Sequence, residues 1–255
     1  MKQDQGPYLA RFYEQHGIWG EDPAADERTP LAASLVPDDA QSILDVGCGE
    51  GSFLRMAANG RLAVGVDASS ASMAACGGLL RARASAAALP FGPGSFDLVA
   101  ANEVLEHLPG PVFAGALSEA ARVARRYILV SVPWQEQLSR RMARCAGCGN
   151  VFHVWGHLRS FGPGDLESLF PGFALKERAF AGPVEKDFPR AALWLRRRAG
   201  RYEYEPLAMC PACGQRAEKP RRLTVSVATS LAAKLLGPRH RKWAVCLYER
   251  CASST

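Results

Sequence analysis

LDVGCGEGSFL, residues 44–54, sets an apolar run against an acid and then three glycines alternating with Cys48 and Glu50. Ile43, Leu44 and Val46 predict a short buried strand, and from Ser52 the spacing of Phe53, Leu54 and Ala57 suits the inner face of a helix. The glycines fall at the turn between them. Gly47, Gly49 and Gly51 can take φ > 0 and carry no Cβ, so a ligand can lie against backbone there. By itself the pattern also fits a plain tight turn.

Working outward, Leu62 to Val66 supply a second apolar strand that ends in Asp67, followed by Ala68. A carboxylate at the tip of the second strand of an α/β unit can accept both hydroxyls of an adenosine ribose, and without a partner it gains nothing from burial. The choice then lies between a nicotinamide dinucleotide and S-adenosylmethionine. The dinucleotide fingerprint would use Gly47, Gly49 and Ser52, and it fails at its last member. Asp45 and Glu50 also put negative charge beside the loop, which suits a cationic sulfonium and amino acid better than a pyrophosphate.

On these residues the chain resembles the class I S-adenosylmethionine-dependent methyltransferases, in the small-molecule (type 11-like) branch. The family's D/E-x-G-x-G-x-G is matched by Asp45, Gly47, Gly49 and Gly51, and its second-strand acid by Asp67. A third match is ARASAAALPFGPGSFDLVAANEVLEHLPG, residues 82–110, with its Leu-Pro-Phe, Phe-Asp-Leu-Val and Glu-His-Leu series. The resemblance, which covers roughly residues 40–180 by motif order, implies that the glycine loop borders the methionine and ribose of the cofactor and that Asp67, with Ala68 beside it, holds the ribose. One departure stands inside the third match. Where the family usually has an acid reaching the adenine amino group this chain has Ser85, followed by Ala86 at the position whose amide usually meets the ring. Serine is a weaker, uncharged acceptor, which shifts adenine recognition toward backbone and apolar contacts around Ala86 and Leu105.

The expected fold is α/β: a Rossmann-like, seven-stranded, mostly parallel sheet with helices on both faces, plus an insertion stapled by four cysteines. Strands are predicted near 42–46, 62–67, 79–83, 96–101 and 126–132. A helix over about 112–124 has Phe113, Ala116, Leu117, Ala120 and Ala124 as its inner stripe and Ser118, Glu119 and Arg122 outward, and another after Gly164 turns Leu166, Leu169 and Phe170 inward. The resemblance implies that 173–180 and 242–250 complete the sheet as an antiparallel hairpin. In domain terms, 1–38 is an N-terminal helical lid, and 39–181 with 242–251 is the methyltransferase core. Residues 134–160 and 182–241 are insertions forming a zinc-binding, acceptor-side subdomain. In the lid, Tyr8, Phe12, Tyr13 and Trp19 either cover the pocket or pack an added helix on the sheet.

Composition agrees with a water-soluble enzyme: 255 residues at 48% hydrophobic content bury a substantial core. No apolar run reaches the roughly 18 residues of a membrane span, and Arg11, Glu14 and His16 interrupt the first residues where a secretion signal needs an apolar stretch. A cytoplasmic protein without membrane insertion is expected.

Asn102 and Glu103 follow the fourth strand, and Glu106 and His107 lie just beyond, at the carboxyl end of the sheet where α/β ligands bind. A transferred methyl mainly needs alignment, with removal of a proton where the acceptor is a neutral oxygen or protonated amine. Asn102 is a further cofactor-side candidate. His107 is a candidate base or an organiser of its loop. In NVFHVWGHLRSFGPGDL, residues 150–166, His157 is a rival and favoured base, and Arg159 an anchor for an acidic substrate group; alternatively both pin the following helix.

Cys145 and Cys148, each in Cys-x-x-Cys-Gly with Gly149, are answered far along the chain by Cys210, Cys213 and Gly214. Two such knuckles supply the four thiolates of tetrahedral zinc, and four thiolates leave no open position, so a structural zinc is expected, with His153 a weak competitor as ligand. Cys48, Cys76, Cys246 and Cys251 read as buried or incidental thiols, Cys246 on the inner face of the last strand.

The formal net charge is +6, and basic residues gather in LRRRAGR, KPRR and GPRHRKW. Such runs can neutralise phosphate, so RNA is an alternative partner, ranked below a small-molecule acceptor, with a protein acceptor third. Phe188, Ala192 and Leu195, and then Ala228, Leu231, Ala232 and Leu235, predict two short helices that wall an acceptor pocket, pack over the sheet or form a homodimer. A noncatalytic cofactor-binding protein is the remaining class, disfavoured by the intact glycine loop and Asp67.

Overall fold

The computed structural model describes residues 25–75, 77–219 and 238–252. Its strands are β1 (Ser42–Val46), β2 (Leu62–Asp67), β3 (Leu80–Arg83), β4 (Phe96–Asn102), β5 (Ala124–Pro133), β6 (Met142–Arg144), β7 (Val151–His153), β8 (Phe173–Lys186) and β9 (Arg239–Arg250). The helices are α1 (Ala25–Ser34), α2 (Ser52–Ala57), α3 (Ser70–Ala75), α4 (Gly110–Val123), α5 (Pro163–Glu167) and α6 (Arg190–Arg198).

Seven strands form one sheet in the order β3-β2-β1-β4-β5-β9-β8. The first five are parallel, and β9 runs antiparallel to both β5 and β8. A parallel sheet needs cover on both faces, and its strands are accordingly apolar throughout. Along β1, Leu44 and Val46 join Val99, Ile128 and Val130 beneath α4 and α5, whereas Ile43 joins Leu98, Leu129 and Val245 beneath α1 and α2. The seven-stranded, mostly parallel Rossmann-like sheet is therefore present.

The structure departs from the expected elements in several places. The closing hairpin is longer, because β8 continues to Lys186 and β9 starts at Arg239; Gly182 (φ +77) and a register shift between Ala181 and Val184 carry the strand past Pro183. Residues 182–186 and 239–241 are thus sheet, not insertion. Ala124 opens β5 instead of ending α4. Phe188, just before α6, and Ala192 within it are buried with Leu193 against them, but Leu195 is 49% exposed. Cys246 is buried in β9. The predicted lid aromatics, Cys76, and the helix with Ala228, Leu231, Ala232 and Leu235 lie outside the described residues.

A second, small lobe hangs from the carboxyl end of β5. Its β6–β7 ribbon and a returning segment bury Ala143, Cys145, Phe152, Val154, Ala208, Cys210 and Ala217 together; a bridge from Cys145 to Ala217 joins the two, and one from Met209 to Arg216 closes the returning knuckle on itself. Among the described residues no helix is long and apolar enough to cross a membrane.

Candidate functional site

The glycine loop joins β1 to α2 on a backbone frame. Gly47 and Cys48 both donate to the Val66 carbonyl, at 2.7 and 3.1 Å, and Gly51 donates to that of Cys48. Gly47 (φ +73) is doubly constrained, since a Cβ there would lie 2.4 Å from Val104 Cγ2. Asp67 closes the frame: one carboxylate oxygen accepts the Gly49 N–H at 3.0 Å, the other the Ser69 N–H at 2.8 Å. Ala68, next to it, is exposed, with its carbonyl held by Arg83. Ser85 is exposed and its hydroxyl caps the Ala87 N–H at 3.2 Å, while Ala86 packs against the core.

Beneath the loop lies a well of polar atoms. Asp45 Oδ1, both amide atoms of Asn102 and the Ser131 hydroxyl are buried without a hydrogen-bond partner. Burial, and then the nearby charge of Asp67, push the Asp45 carboxyl up to about 8, with Asn102 acting in the opposite sense. Buried polar atoms normally find partners. A well of this kind at the ends of β1, β4 and β5 suits a polar, partly cationic ligand, and the cofactor's sulfonium and amino acid meet that description.

Across from it stands a wall of acids and imidazoles. Glu103 (φ +55) turns off the end of β4 and accepts from Trp243 Nε1 at 2.6 Å, with Arg28 of α1 at 3.2 Å. Burial raises its carboxyl, against the pull of Arg28 and His157. The short 3-10 turn Leu105–His107 follows, with Glu106 and His107 buried. Burial and then the charge of Glu103 raise Glu106 well above the usual carboxylate range, and burial with two neighbouring imidazoles holds His107 well below the usual histidine value.

The 153–159 loop is hung on that turn. The Leu158 N–H donates to the Glu106 carbonyl at 2.8 Å, and Arg159 donates to the Leu105 carbonyl while its guanidinium lies 3.8 Å from the Phe113 ring centre. Burial lowers Arg159, which Glu106 counters. This geometry makes Arg159 a pin for the turn. It brings the His157 ring edge-on to His107 at 4.8 Å and stacked on His153 at 4.7 Å.

Glu136, just past β5, joins the two loop histidines. His157 Nδ1 lies 2.5 Å from one of its oxygens and His153 Nε2 3.4 Å from the other. Burial would raise the Glu136 carboxyl, but these imidazoles overcome it and hold it far below the usual range. The partners fix the tautomers. His153 Nδ1 accepts the Trp155 and His157 N–H groups, so its proton sits on Nε2, facing Glu136. His157 turns Nδ1 to Glu136, and in the neutral ring with its proton there the lone pair is on Nε2. Sequence reasoning passed over Glu136 and Arg28. The rule that ligands gather beyond strand ends applies to β5 as it does to β4 and would have flagged Glu136; nothing local marks Arg28.

In the small lobe all four cysteines meet, their sulfurs within 4.8 Å of one another. Cys145–Cys213 and Cys148–Cys210 are 3.4 and 3.6 Å apart, close to the roughly 3.8 Å edge of a tetrahedron with 2.3 Å zinc–sulfur bonds. The two knuckles repeat one pattern. Cys145 N donates to Asn150 O and Gly149 N to Cys145 O; Cys210 N donates to Gln215 O and Gly214 N to Cys210 O. Each first sulfur also accepts backbone N–H groups, from Gly147 and Cys148 or from Ala212. Burial would raise Cys145, yet the Cys148 and Gly147 N–H groups bring it down to about 6, whereas at Cys213 the Gln215 N–H is outweighed by the neighbouring thiols, which push it up. His153 is no ligand here, being committed to Glu136.

Comparison with known proteins agrees with this geometry. The profile of the type 11 methyltransferase domain matches residues 44–127. No functionally curated protein matches the sequence. Among solved structures, a chain of the complex between the Haloferax volcanii Trm112 methyltransferase activator and a methyltransferase aligns with TM-score 0.54 at 14% identity, covering 90% of this chain and 89% of that one. A S-adenosylmethionine-dependent methyltransferase from Archaeoglobus fulgidus gives 0.52 at 18% identity, covering 92% and 100%. Magnesium protoporphyrin IX methyltransferase from Synechocystis PCC 6803, with bound S-adenosylhomocysteine, gives 0.51 at 16%, covering 96% and 94%. At these identities the structures establish the fold. Over residues 44–127 the matched profile and the glycine loop give the chain a class I S-adenosylmethionine-dependent methyltransferase domain. Within that class this chain is type 11-like.

Proposed function

We infer that the protein methylates an oxygen, nitrogen or carbon nucleophile of a small-molecule acceptor. The carrying observation is the convergence of Glu103, the Glu106–His107 turn and His157 into one buried polar wall beside the glycine-loop well. The bound cofactor supplies an electrophilic methyl group. The chain's own residues do the rest: Gly47, Gly49 and Gly51 let backbone approach the methionine and ribose, Asp67 takes the ribose hydroxyls, and Asp45 and Asn102 fill out the polar well. Ala68, Ser85 and Ala86 border the adenosine. His157, fixed by Glu136 with a free lone pair, is the side chain through which the protein acts on the acceptor, with His107 beside it and Arg159 holding the turn.

The four cysteines hold a structural zinc whose task is to keep β7, and hence the His153–His157 loop, in place. Labelled cofactor incubated with fractionated metabolite extracts tests the reading. His157→Ala should lower turnover while S-adenosylhomocysteine affinity by calorimetry stays within about threefold. Transfer to RNA alone, or equal loss of turnover and affinity, would overturn it.

A further inference from the structure

Glu106 is fully buried, and neither of its carboxylate oxygens has a hydrogen-bond donor. Its Oε1 lies 3.7 Å from His107 Nε2. Two more carboxylates stand nearby, Glu103, whose Oε1 also lacks a donor, and Glu136. A low-dielectric pocket does not tolerate this concentration of unanswered acceptors unless they are protonated or met by positive charge. Arg28 and Trp243 are already engaged with the far side of Glu103.

We propose that Glu106, His107 and His157 form a second metal site, distinct from the four cysteines, that takes one divalent cation of zinc or manganese type and holds an acceptor oxygen on it. Each of the three offers a ligand atom within 4.8 Å of the other two. The edge of a tetrahedron with metal–ligand bonds of roughly 2.1 Å is about 3.4 Å, so the most distant pair needs to close by at most about 1.4 Å, within reach of side-chain rotation. Two imidazoles and one carboxylate are a borderline donor set with positions left for exogenous oxygen.

The protonation pattern separates this trio from its neighbour. A metal-bound imidazole usually donates its other N–H to a carboxylate, and His157 does so to Glu136 at 2.5 Å. Glu136 is thereby the orienting partner, not a ligand, since each of its oxygens faces an imidazole nitrogen. His153 is excluded. With Nδ1 accepting two backbone N–H groups, its proton sits on Nε2, the nitrogen that would have to bind. Cation binding stands apart from the methyl-transfer reading, whereas the role given to the acceptor oxygen rests on it. The site favours an oxygen nucleophile, such as a phenol or sugar hydroxyl, over nitrogen or carbon, because a small divalent ion lowers the proton affinity of the oxygen it holds.

The test uses the full chain and needs no acceptor. Wild type freed of loosely bound metal and loaded at the cysteines should hold one tight zinc. Titration should then add one further equivalent of Mn2+, read by loss of the free-ion paramagnetic resonance signal and displaced by Zn2+. Glu106→Gln and His157→Asn should abolish the second equivalent and spare the first. Glu136→Gln should weaken it by roughly tenfold to a hundredfold, as expected for an orienting partner. S-adenosylhomocysteine affinity within about threefold of wild type identifies variants that remain folded. Wild type that captures no Mn2+ or second zinc, or folded Glu106→Gln and His157→Asn that both retain it, overturns the proposal. His157 would then act as a free base and the methyl-transfer reading would stand; failure of wild type to bind S-adenosylhomocysteine would instead remove that reading and leave the cation result intact.

Discussion

The glycine loop is held by backbone: Gly47 and Cys48 hang on the Val66 carbonyl, and Asp67 ties Gly49 to β2. The wall facing it is held by side chains from distant segments. Arg28, Glu103, Glu136, His157 and Trp243 come from a helix, two strand ends, a loop and the last strand, and the small lobe carries the loop. The first half is specified within a short stretch of chain. The second exists only after the whole sheet and the lobe have assembled. Cofactor binding and acceptor handling should therefore come apart under mutation.

The largest separation is expected from the lobe. Cys210→Ser should lose the zinc, lower the melting temperature by more than about 5 °C and reduce turnover by roughly a hundredfold or more, because metal affinity here is folding free energy for β6, β7 and the returning segment. S-adenosylhomocysteine affinity should stay within about threefold. Metal analysis, thermal melts and calorimetry on one preparation decide it; a matching collapse of cofactor binding would break the comparison.

Gly47→Ala is the converse. A residue at φ +73 with a Cβ 2.4 Å from Val104 Cγ2 must move the loop, so cofactor affinity should fall by at least about tenfold, from the left-handed strain alone. Zinc content should not change. Loss of zinc in this variant would show the halves to be mechanically joined.

The pH response sharpens the same contrast. With Asp45 raised from 3.8 to about 8, affinity for the cationic cofactor should increase by about tenfold between pH 7 and 9 as the carboxylate forms. Asp45→Asn should retain only the part due to the cofactor's own amino group. Stability of the ligand-free protein runs the other way. A folded pKa above the unfolded one gives a contribution fully present below pH 3.8 and lost as pH rises through about 8.

The smallest effect is expected far from both halves. Asp97, at the opening end of β4, accepts from Ser42 and the Gln41 N–H and pairs with Arg125, and these partners outweigh its burial and lower its pKa. Asp97→Asn should lower the melting temperature by about 2–4 °C and leave both affinity and zinc unchanged.

What could be foreseen from sequence follows the same division. β1, β2 and the glycine turn announce themselves because apolar runs buried on both faces and residues needing φ > 0 are local requirements. The cysteine knuckles were legible for a similar reason, each being a four-residue geometry. Arg28 carries no local mark, and Glu136 is marked only by its place just past the end of β5; the importance of both arises from what α1 and β5 bring them against. The hairpin's full length was hidden by Gly182 and Pro183, which read as a break but sit at a bulge that the partner strand accommodates.

The position of β9 between β5 and β8 has a consequence for synthesis. Its residues are made after every other strand of the sheet, yet they pair with both neighbours along most of their length. Until residues 239–250 leave the ribosome, β5 and β8 each present an unpaired edge, and Glu103 lacks its Trp243 partner. The nascent chain thus passes through a stage with exposed sheet edges and an unfinished pocket, and a contact of such long sequence separation closes late. Premature termination before residue 239 should yield a chain that aggregates instead of a shortened enzyme with reduced activity.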